Sequence, residues 1–306
     1  MKPSLRKARA VVDTPGTIVD PREDEVLPMS EVAGLQSLRP RRTVSTGFSI
    51  FDDAMAGGFK EGDLIVVTGQ TGHGKTSWAQ TLTYNLAKGN VGTLFLSYEV
   101  LVEYVWEKFK NMGMSDSEIV YSPLKITSGG LDWLEKKVLE AINKYGIKCL
   151  VIDHLGFLLP SRVKYDNSVG SNYSAYLGSI CRDLKMLAIK NNLIVILLAH
   201  TRKMSGQKRN DSPTIEDIRD SSGPAQEADF VFILQRLMPT GADATSVKKR
   251  DSQGYLDEEG MPEEQEDSGA EVIYSEKTNI SLVKNRMTGQ TFHRKFKMVK
   301  DLFILA

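Results

Sequence analysis

The chain has 306 residues, of which 41% are apolar and 25% are charged. Those proportions are typical of a globular protein with a sizeable core and exclude disordered and fibrous classes. The 39 basic residues balance the 39 acidic ones, so net charge does not indicate a nucleic-acid partner, and only local patches could do so. The longest apolar run, Leu193–Ala199, is too short to span a bilayer, so we expect no membrane partner.

The first residues and the cysteines indicate the compartment. The start of the chain carries Lys2, Arg6, Lys7 and Arg9 but no apolar segment, which argues against a secretory signal. The two cysteines lie in apolar or helical sequence and are predicted to be buried free thiols, as in a reducing compartment. We therefore expect a cytoplasmic protein, with organellar targeting as the open alternative.

Residues 1–42 differ in composition from the rest. They contain five prolines, dense mixed charge and few large apolar groups, which predicts an N-terminal arm or linker. Within it, Met29–Leu38 has apolar residues at helical spacing and is predicted to form a short docking helix. Such a short helix is marginal in isolation and needs a partner surface.

From Thr43 onward, short apolar runs alternate with stretches of helical periodicity. The runs are apolar almost throughout, as strands buried on both faces of a parallel sheet must be. They are Leu64–Thr68, Thr93–Ser97, Cys149–Ile152, Ile194–Ala199 and Phe230–Leu234, and the helical stretches are Lys75–Ala87, Leu101–Lys110, Leu131–Tyr145 and Tyr173–Lys190. This alternation predicts an α/β fold with a mainly parallel central sheet.

Two features lie near the C-terminus of this predicted domain, residues 43–306. Ile280–Val283, Phe292–Val299 and Leu302–Leu305 are strand-like runs without intervening helices, which predicts an antiparallel C-terminal extension. Before them, about residues 240–275, lies a predicted insertion loop. Its segment Asp251–Glu271 has nine acidic residues and no basic one, so it repels itself and is predicted to be solvated. A role as a nucleic-acid mimic or partner hook is the alternative.

A phosphate-binding loop follows the first apolar strand. The sequence Gly69-Gln70-Thr71-Gly72-His73-Gly74-Lys75-Thr76 fits the GxxxxGK[ST] pattern between a strand and a helix. Its glycines let backbone N–H groups surround the phosphates, and the helix N-terminus adds partial positive charge. Lys75 can reach the outer phosphates, and the Thr76 hydroxyl can bind Mg²⁺. The loop therefore predicts ATP, or another nucleoside triphosphate, and Mg²⁺ as cofactors.

Three polar residues follow other predicted strands, at the sheet edge where open α/β folds bind ligands. Asp153 is a candidate second magnesium ligand, or a helix cap. Glu99 is a candidate general base for water, or an acid favoured by a helix N-terminus. His200 is a candidate sensor of the terminal phosphate, or a polar group with a structural partner.

These elements together resemble the replicative helicase family of bacterial DnaB, the phage primase–helicases and mitochondrial Twinkle, with a RecA-like P-loop NTPase core. The resemblance runs from about Ser45 to the C-terminus. It is carried by Ser45–Asp52 with Gly57, Gly58 and Gly62-Asp63-Leu64, by Leu96-Ser97-Tyr98-Glu99, by Val151–Leu155, and by Asp217–Gly223 with Gln226–Asp229. In the last motif the glycine stands one residue later than in the family pattern, and Pro224 follows it.

The resemblance implies roles for particular residues. Glu99 would be the catalytic base, and His200 would match the histidine of the phage and Twinkle branch. Lys284-Asn285-Arg286 is similar to the family's KxR element, which implies a lysine and an arginine finger that reach the nucleotide of the next subunit. A surface strand with two ordinary bases is the alternative. The sequence before Thr43 is too short for the primase half or the helical N-terminal domain of relatives.

A polar loop behind His200 is a candidate DNA contact. It contains Arg202, Lys203, Lys208 and Arg209, and flexible bases there can grip a sugar–phosphate backbone without reading sequence. An ordinary solvated loop is the alternative.

The combined prediction is an ATP-dependent, hexameric ring helicase that moves 5′ to 3′ on single-stranded DNA in a bacterial or phage-infected cell. A separate primase or helicase loader is a possible partner. A RecA/RadA-like recombinase and a KaiC-like regulatory ATPase are the alternatives.

Overall fold

A computed structural model of the chain describes residues 11–12, 18–19, 25–38, 40–115, 119–127, 130–158, 173–200, 222–237 and 277–306. The helices are α1 Met29–Leu38, α2 Ser49–Ala54, α3 Lys75–Lys88, α4 Val102–Asn111, α5 Leu131–Tyr145, α6 Tyr173–Asn191 and α7 Ser222–Glu227. The strands are β1 Val11–Val12, β2 Ile18–Val19, β3 Thr43–Val44, β4 Phe59–Lys60, β5 Leu64–Gly69, β6 Thr93–Ser97, β7 Val120–Tyr121, β8 Cys149–Asp153, β9 Ile194–His200, β10 Phe230–Arg236, β11 Lys277–Asn285, β12 Phe292–Val299 and β13 Leu302–Leu305.

A nine-stranded sheet organises the described residues, in the order β13-β12-β11-β10-β5-β9-β8-β6-β7. The six strands from β10 to β7 pair in parallel, and β11, β12 and β13 add an antiparallel extension. Both features confirm the prediction from the sequence. The central strands are buried on both faces because helices cover each side, which explains their unbroken apolar sequence.

Two hydrophobic cores lie on opposite faces of the sheet. On β5, the alternation of side chains sends Ile65 and Val67 into the core shared with α3 and α4, and Leu64 and Val66 into the core shared with α5 and α6. All four side chains are at most 1% exposed. The carboxyl end of β5 is therefore held between two packed layers, and the loop that follows starts from a rigid base.

An aromatic cluster fixes α3, the helix that begins at the end of this loop. Trp78 is fully buried, stacks on Phe48 at 5.1 Å between ring centroids, and meets Phe296 and Phe303 of the antiparallel extension edge-on. The Phe303 N–H also donates a hydrogen bond of 3.1 Å to the Thr81 hydroxyl on α3. The C-terminal strands thus stabilise the helix that carries the phosphate-binding residues.

Helix α1 spans Met29–Leu38, as the sequence predicts, and its start is exposed to solvent. Met29 is 82% exposed, and Val26 just before the helix is 98% exposed. Within the described ranges, none of the helices is both long enough and apolar enough to cross a bilayer. The predicted basic loop with Arg202, Lys203, Lys208 and Arg209, and the predicted acidic insertion at 240–275, lie outside the described residues.

Candidate active site

The register of the parallel strands brings the predicted site residues to one edge of the sheet. Gly69 at the end of β5 pairs with His200 at the end of β9, and Ser97 at the end of β6 pairs with Asp153 at the end of β8. Glu99 follows β6 by two residues. Because β5, β9, β8 and β6 are consecutive neighbours, the phosphate loop, Asp153, Glu99 and His200 surround one site.

Glycines give the phosphate loop a backbone that other residues adopt only with strain. Gly69, Gly72 and Gly74 have φ angles of 149°, 81° and 88°. A Cβ atom on Gly69 would lie 2.4 Å from the Leu234 carbonyl oxygen of β10, so a larger residue would push the two strands apart. Lys75 then begins α3, and the N-terminus of that helix points into the loop.

Lys75 turns back onto the loop. Its Nζ donates hydrogen bonds to the carbonyl oxygens of Gly69 at 2.9 Å and Gln70 at 3.0 Å, and the residue is only 6% exposed. Burial lowers the pKa of Lys75 to about 8, although Glu99 and Asp153 favour its charged form. A buried, incompletely compensated ammonium group at this place has a strong affinity for phosphate oxygens.

Asp153 is 1% exposed at the end of β8, and burial raises the pKa of its carboxyl to about 6. The Thr76 side chain forms a hydrogen bond to it that acts in the opposite direction. Asp153 Oδ2 is buried without a hydrogen-bond partner in the described part of the chain. Such an oxygen beside a threonine hydroxyl is suited to a hard cation, so the pair fits a Mg²⁺ site.

Glu99 contacts two histidines. Its Oε1 lies 2.9 Å from His154 Nε2 and 3.3 Å from His200 Nε2. The two imidazole rings are perpendicular neighbours, 4.2 Å between centroids. Sequence reasoning gave His154 no role, although it directly follows Asp153 at the same edge of the sheet.

Lys284 and Arg286 lie near the amino-terminal ends of β10 and β5, at the opposite end of these strands from the phosphate loop. Lys284 pairs with Val231 and Asn285 with Phe230, and Phe230 in turn pairs with Ile65 near the start of β5. The phosphate loop begins at the other end of β5, roughly 13 Å away at the rise of a parallel strand. Both bases therefore lie at the opposite end of the parallel strands from the phosphate loop of their own chain.

The two bases instead contact backbone and acid groups nearby. Lys284 donates to the carbonyl oxygens of Ala225 and Gln226, both at 2.8 Å. Arg286 donates to the Gln226 oxygen at 3.1 Å and forms an ion pair of 3.3 Å with Asp229. Burial lowers the pKa of Lys284. The structure thus separates the candidate residues into two groups. The phosphate loop, Asp153, Glu99 and His200 lie at the carboxyl ends of the parallel strands, and Lys284 and Arg286 lie near their amino ends.

Comparison with known proteins identifies the family. The model of the DnaB-like helicase C-terminal domain matches residues 126–302, more than half of the chain. The chain belongs to the DnaB-like helicase C-terminal domain family. The ATPase family model described as KaiC also matches, over residues 44–189, and this range includes the phosphate loop.

Individual relatives of this DnaB-like domain are distant. A probable replicative DNA helicase of Trieres chinensis is 27% identical over 63% of this chain and 47% of its own length. The replicative DNA helicase DnaB of Mycoplasma pneumoniae is 25% identical over 74% of this chain and 54% of its own. The chain thus spans about half the length of the curated relatives it matches.

Solved structures support the fold. The structure titled "ATPase Domain of G40P" aligns with a TM-score of 0.63 and 16% identity, covering 91% of this chain and 96% of that one. A DnaB-like replicative helicase described with its interactions with primase aligns with the same TM-score over 90% of this chain and 65% of its own. The DnaB-like domain therefore has a RecA-like ATPase fold.

Proposed function

We propose that this chain is the motor of an ATP-dependent helicase, which assembles as a hexameric ring and moves 5′ to 3′ along single-stranded DNA. The proposal is supported by the positions of its phosphate loop and its basic pair, which lie at opposite ends of the parallel strands. A site divided in this way is completed only when a second copy supplies its other half.

Nucleotide binding depends on the loop Gly69–Thr76. Its backbone N–H groups and the N-terminus of α3 attract the phosphates, and His73 shapes the loop through its contact with the Leu234 oxygen at 3.4 Å. Lys75 exchanges its two backbone acceptors for phosphate oxygens. This exchange places its charge where the outer phosphates lie, and the phosphates then favour the protonated form.

Thr76 and Asp153 would hold Mg²⁺. A magnesium ion held by these residues would supply positive charge that offsets the negative charge developing during phosphoryl transfer. The Asp153 Oδ2 atom supports this assignment, because a buried carboxylate oxygen without a protein donor is available to a bound ion.

Glu99 accepts a proton from the attacking water. It lies at the open edge of the sheet with a side chain 36% exposed, so water reaches it. His200 pairs with the first residue of the phosphate loop, which makes it suitable as a sensor of the terminal phosphate. A shift of His200 toward that phosphate would move the end of β9 and the chain directly behind it.

Lys284 and Arg286 would act on the nucleotide of the next subunit. Lys284 donates to two backbone oxygens of its own chain, and Arg286 donates to one in addition to its ion pair with Asp229. Such backbone acceptors would be exchanged for phosphate oxygens at an interface. Their charge would stabilise the transition state of phosphoryl transfer. Hydrolysis would then proceed only between assembled subunits.

DNA contact is proposed for Arg202, Lys203, Lys208 and Arg209, which follow His200 in the sequence. Six copies of such a loop in a ring would add their attraction for phosphates, even though the whole chain is neutral.

We also propose a docking role for α1, with its exposed Met29, on a neighbouring subunit. We further propose that a separate primase or loader acts with this chain, and that the chain works in the cytoplasm of a bacterial or phage-infected cell.

Single-stranded DNA should stimulate hydrolysis of ATP by the full chain. The measurement is steady-state phosphate release with and without an oligonucleotide, and Lys75→Ala is the inactive control. We expect Lys75→Ala to lower the rate by about 100-fold or more. Hydrolysis that DNA leaves unchanged would favour a KaiC-like regulatory ATPase, the alternative supported by the second family match.

The form of the assembly separates the proposal from a recombinase. Mass photometry with ATP and Mg²⁺ should give a discrete hexamer, because a ring closes on itself. Open-ended polymers would indicate a RecA/RadA-like filament instead.

A further inference from the structure

We infer that His154 is a positioning residue for Glu99, and that it holds the carboxylate in place while His200 moves to the nucleotide. This inference rests on the proposed hydrolysis of ATP. The pair is well defined, with His154 Nε2 at 2.9 Å from Glu99 Oε1 and only 16% of the His154 side chain exposed.

A backbone contact selects the tautomer of His154. The Gly156 N–H donates a hydrogen bond of 2.9 Å to His154 Nδ1. A nitrogen that accepts a hydrogen bond carries no proton, so the neutral ring bears its proton on Nε2. The Nε2–H therefore donates to Glu99 Oε1. The Gly156 N–H thus determines which ring nitrogen of His154 is the donor to Glu99.

Packing fixes the plane of the imidazole ring as well. A Cβ atom on Gly156 would lie 2.6 Å from His154 Cε1, so the ring occupies space that only glycine leaves open. Phe157 lies beside the same ring, 5.0 Å between centroids. A ring held from several sides restricts the carboxylate to which it donates, and such restriction is what an effective base requires.

The two histidines differ in their contact with Glu99 and in exposure, since the His154 side chain is 16% exposed and that of His200 is 33% exposed. His200 lies 3.3 Å from the same Glu99 oxygen, a longer contact than that of His154. It also pairs with Gly69, next to the phosphates. When His200 turns to the terminal phosphate, Glu99 loses one partner but keeps the shorter one. His154 thus preserves the direction of the base at the moment of hydrolysis.

A metal ion is the competing occupant of this cluster. Glu99, His154 and His200 each offer one ligand atom, and these atoms lie within 4.8 Å of one another. However, a histidine that binds metal through Nε2 normally carries its proton on Nδ1 and donates it to an acceptor. His154 Nδ1 instead accepts from Gly156, so its Nε2 keeps a proton and has no free lone pair for a metal.

Substitution of His154 tests the inference by steady-state hydrolysis with saturating oligonucleotide. We expect His154→Ala to lower kcat by about 10- to 100-fold and to leave KM for ATP within about 2-fold, because binding is retained while the base loses its orientation. His154→Gln should restore most of kcat, since its amide nitrogen can still donate to Glu99. In a Glu99→Gln background, His154→Ala should cause no further loss.

Controls separate the possible failures. His293→Gln, an exposed histidine on β12, should leave kcat and KM unchanged, and thermal melts establish that each variant folds. A normal kcat in His154→Ala, or a kcat in His154→Gln as low as that of His154→Ala, would overturn the positioning role. So would one equivalent of zinc in the purified wild type that His154→Ala lacks. A wild type that hydrolyses no ATP would refute the proposed function itself.

Discussion

Asp63 is a buried carboxylate that the candidate site does not use. It is 8% exposed at the turn before β5, and its Oδ2 accepts a hydrogen bond of 2.7 Å from the Lys60 N–H. Burial raises the pKa of Asp63 to about 6, and the nearby Asp229 adds to the effect. The turn that leads into the phosphate-loop strand therefore contains an acid that is stabilised in its protonated form.

Stability should depend on pH through Asp63. The folded chain binds this proton more tightly than the unfolded chain, so its contribution is fully present below about pH 4 and is lost as the pH rises through about 6. Asp63→Asn removes this dependence and keeps an acceptor for Lys60. Relative to wild type, the variant should gain on the order of 2–3 kcal/mol of unfolding free energy between pH 4 and pH 6.

Thermal or urea unfolding at a series of pH values measures this difference. Asp53→Asn, which replaces an exposed acid on α2, is the control. Its unfolding free energy should match that of wild type at every pH. A constant difference between Asp63→Asn and wild type across the series would contradict the account.

Single residues of the site could be predicted where the local sequence pattern alone indicates their role. The phosphate loop, Asp153, Glu99 and His200 each end or follow an apolar strand, and the structure brings them to one edge. The contact of Glu99 with His154 could not be predicted in that way. It depends on the register between β6 and β8, and nothing local to either segment specifies which side chains meet.

Among the elements, hydrophobic patterning predicts five of the six parallel strands to within about two residues, whereas the two-residue strand β7 had no such signal. The apolar runs end at Thr68, Ile152 and Ala199, whereas the strands continue to Gly69, Asp153 and His200. The extra residues are small or polar, yet their backbone still pairs with a neighbouring strand. Strands therefore deliver functional side chains just beyond the point where apolar sequence stops.

The two-residue strands β3 and β4 and the short helix α2 had no signal of this kind. Segments so short show no complete period of either pattern. Asp52 on α2 instead accepts hydrogen bonds from Ser45 and Thr46, and these contacts form only after the chain has folded back. Tertiary contacts, rather than local preference, define that region.

The position of Lys284 near the end of β11, and of Arg286 just after it, predicts complementation between two inactive variants. Glu99→Gln lacks the base, and Arg286→Ala lacks the arginine proposed to act in the next subunit. In a random mixed ring, about a quarter of the interfaces combine an intact Glu99 with an intact neighbouring Arg286. Hydrolysis by the mixture should therefore rise well above that of either variant alone.

Steady-state hydrolysis of a mixture, formed by co-refolding or subunit exchange, makes this measurement. Arg294→Ala, an exposed arginine on β12, should behave as wild type and controls for loss of charge. A mixture no more active than the average of the two variants would place Arg286 in the site of its own chain, or outside catalysis altogether.

In the molecule as a whole, the antiparallel extension contacts the phosphate-loop region at one end and carries Lys284 at the other. Its Phe303 packs on Trp78 of α3, and its strand β11 carries Lys284 to the opposite edge. One continuous sheet thus connects the phosphate loop with the proposed subunit interface. Family membership agrees with this arrangement, since the matched range 126–302 includes β8 through most of the extension.

Strand displacement distinguishes a helicase motor from an ATPase that unwinds nothing. The substrate is a forked DNA duplex with a long single-stranded 5′ tail, and the full chain is added with ATP and Mg²⁺. We predict that wild type separates the strands, that Lys75→Ala does not, and that a duplex with only a 3′ tail stays intact. Equal and negligible unwinding by wild type and Lys75→Ala on the forked substrate would contradict the assignment of this chain as a helicase motor.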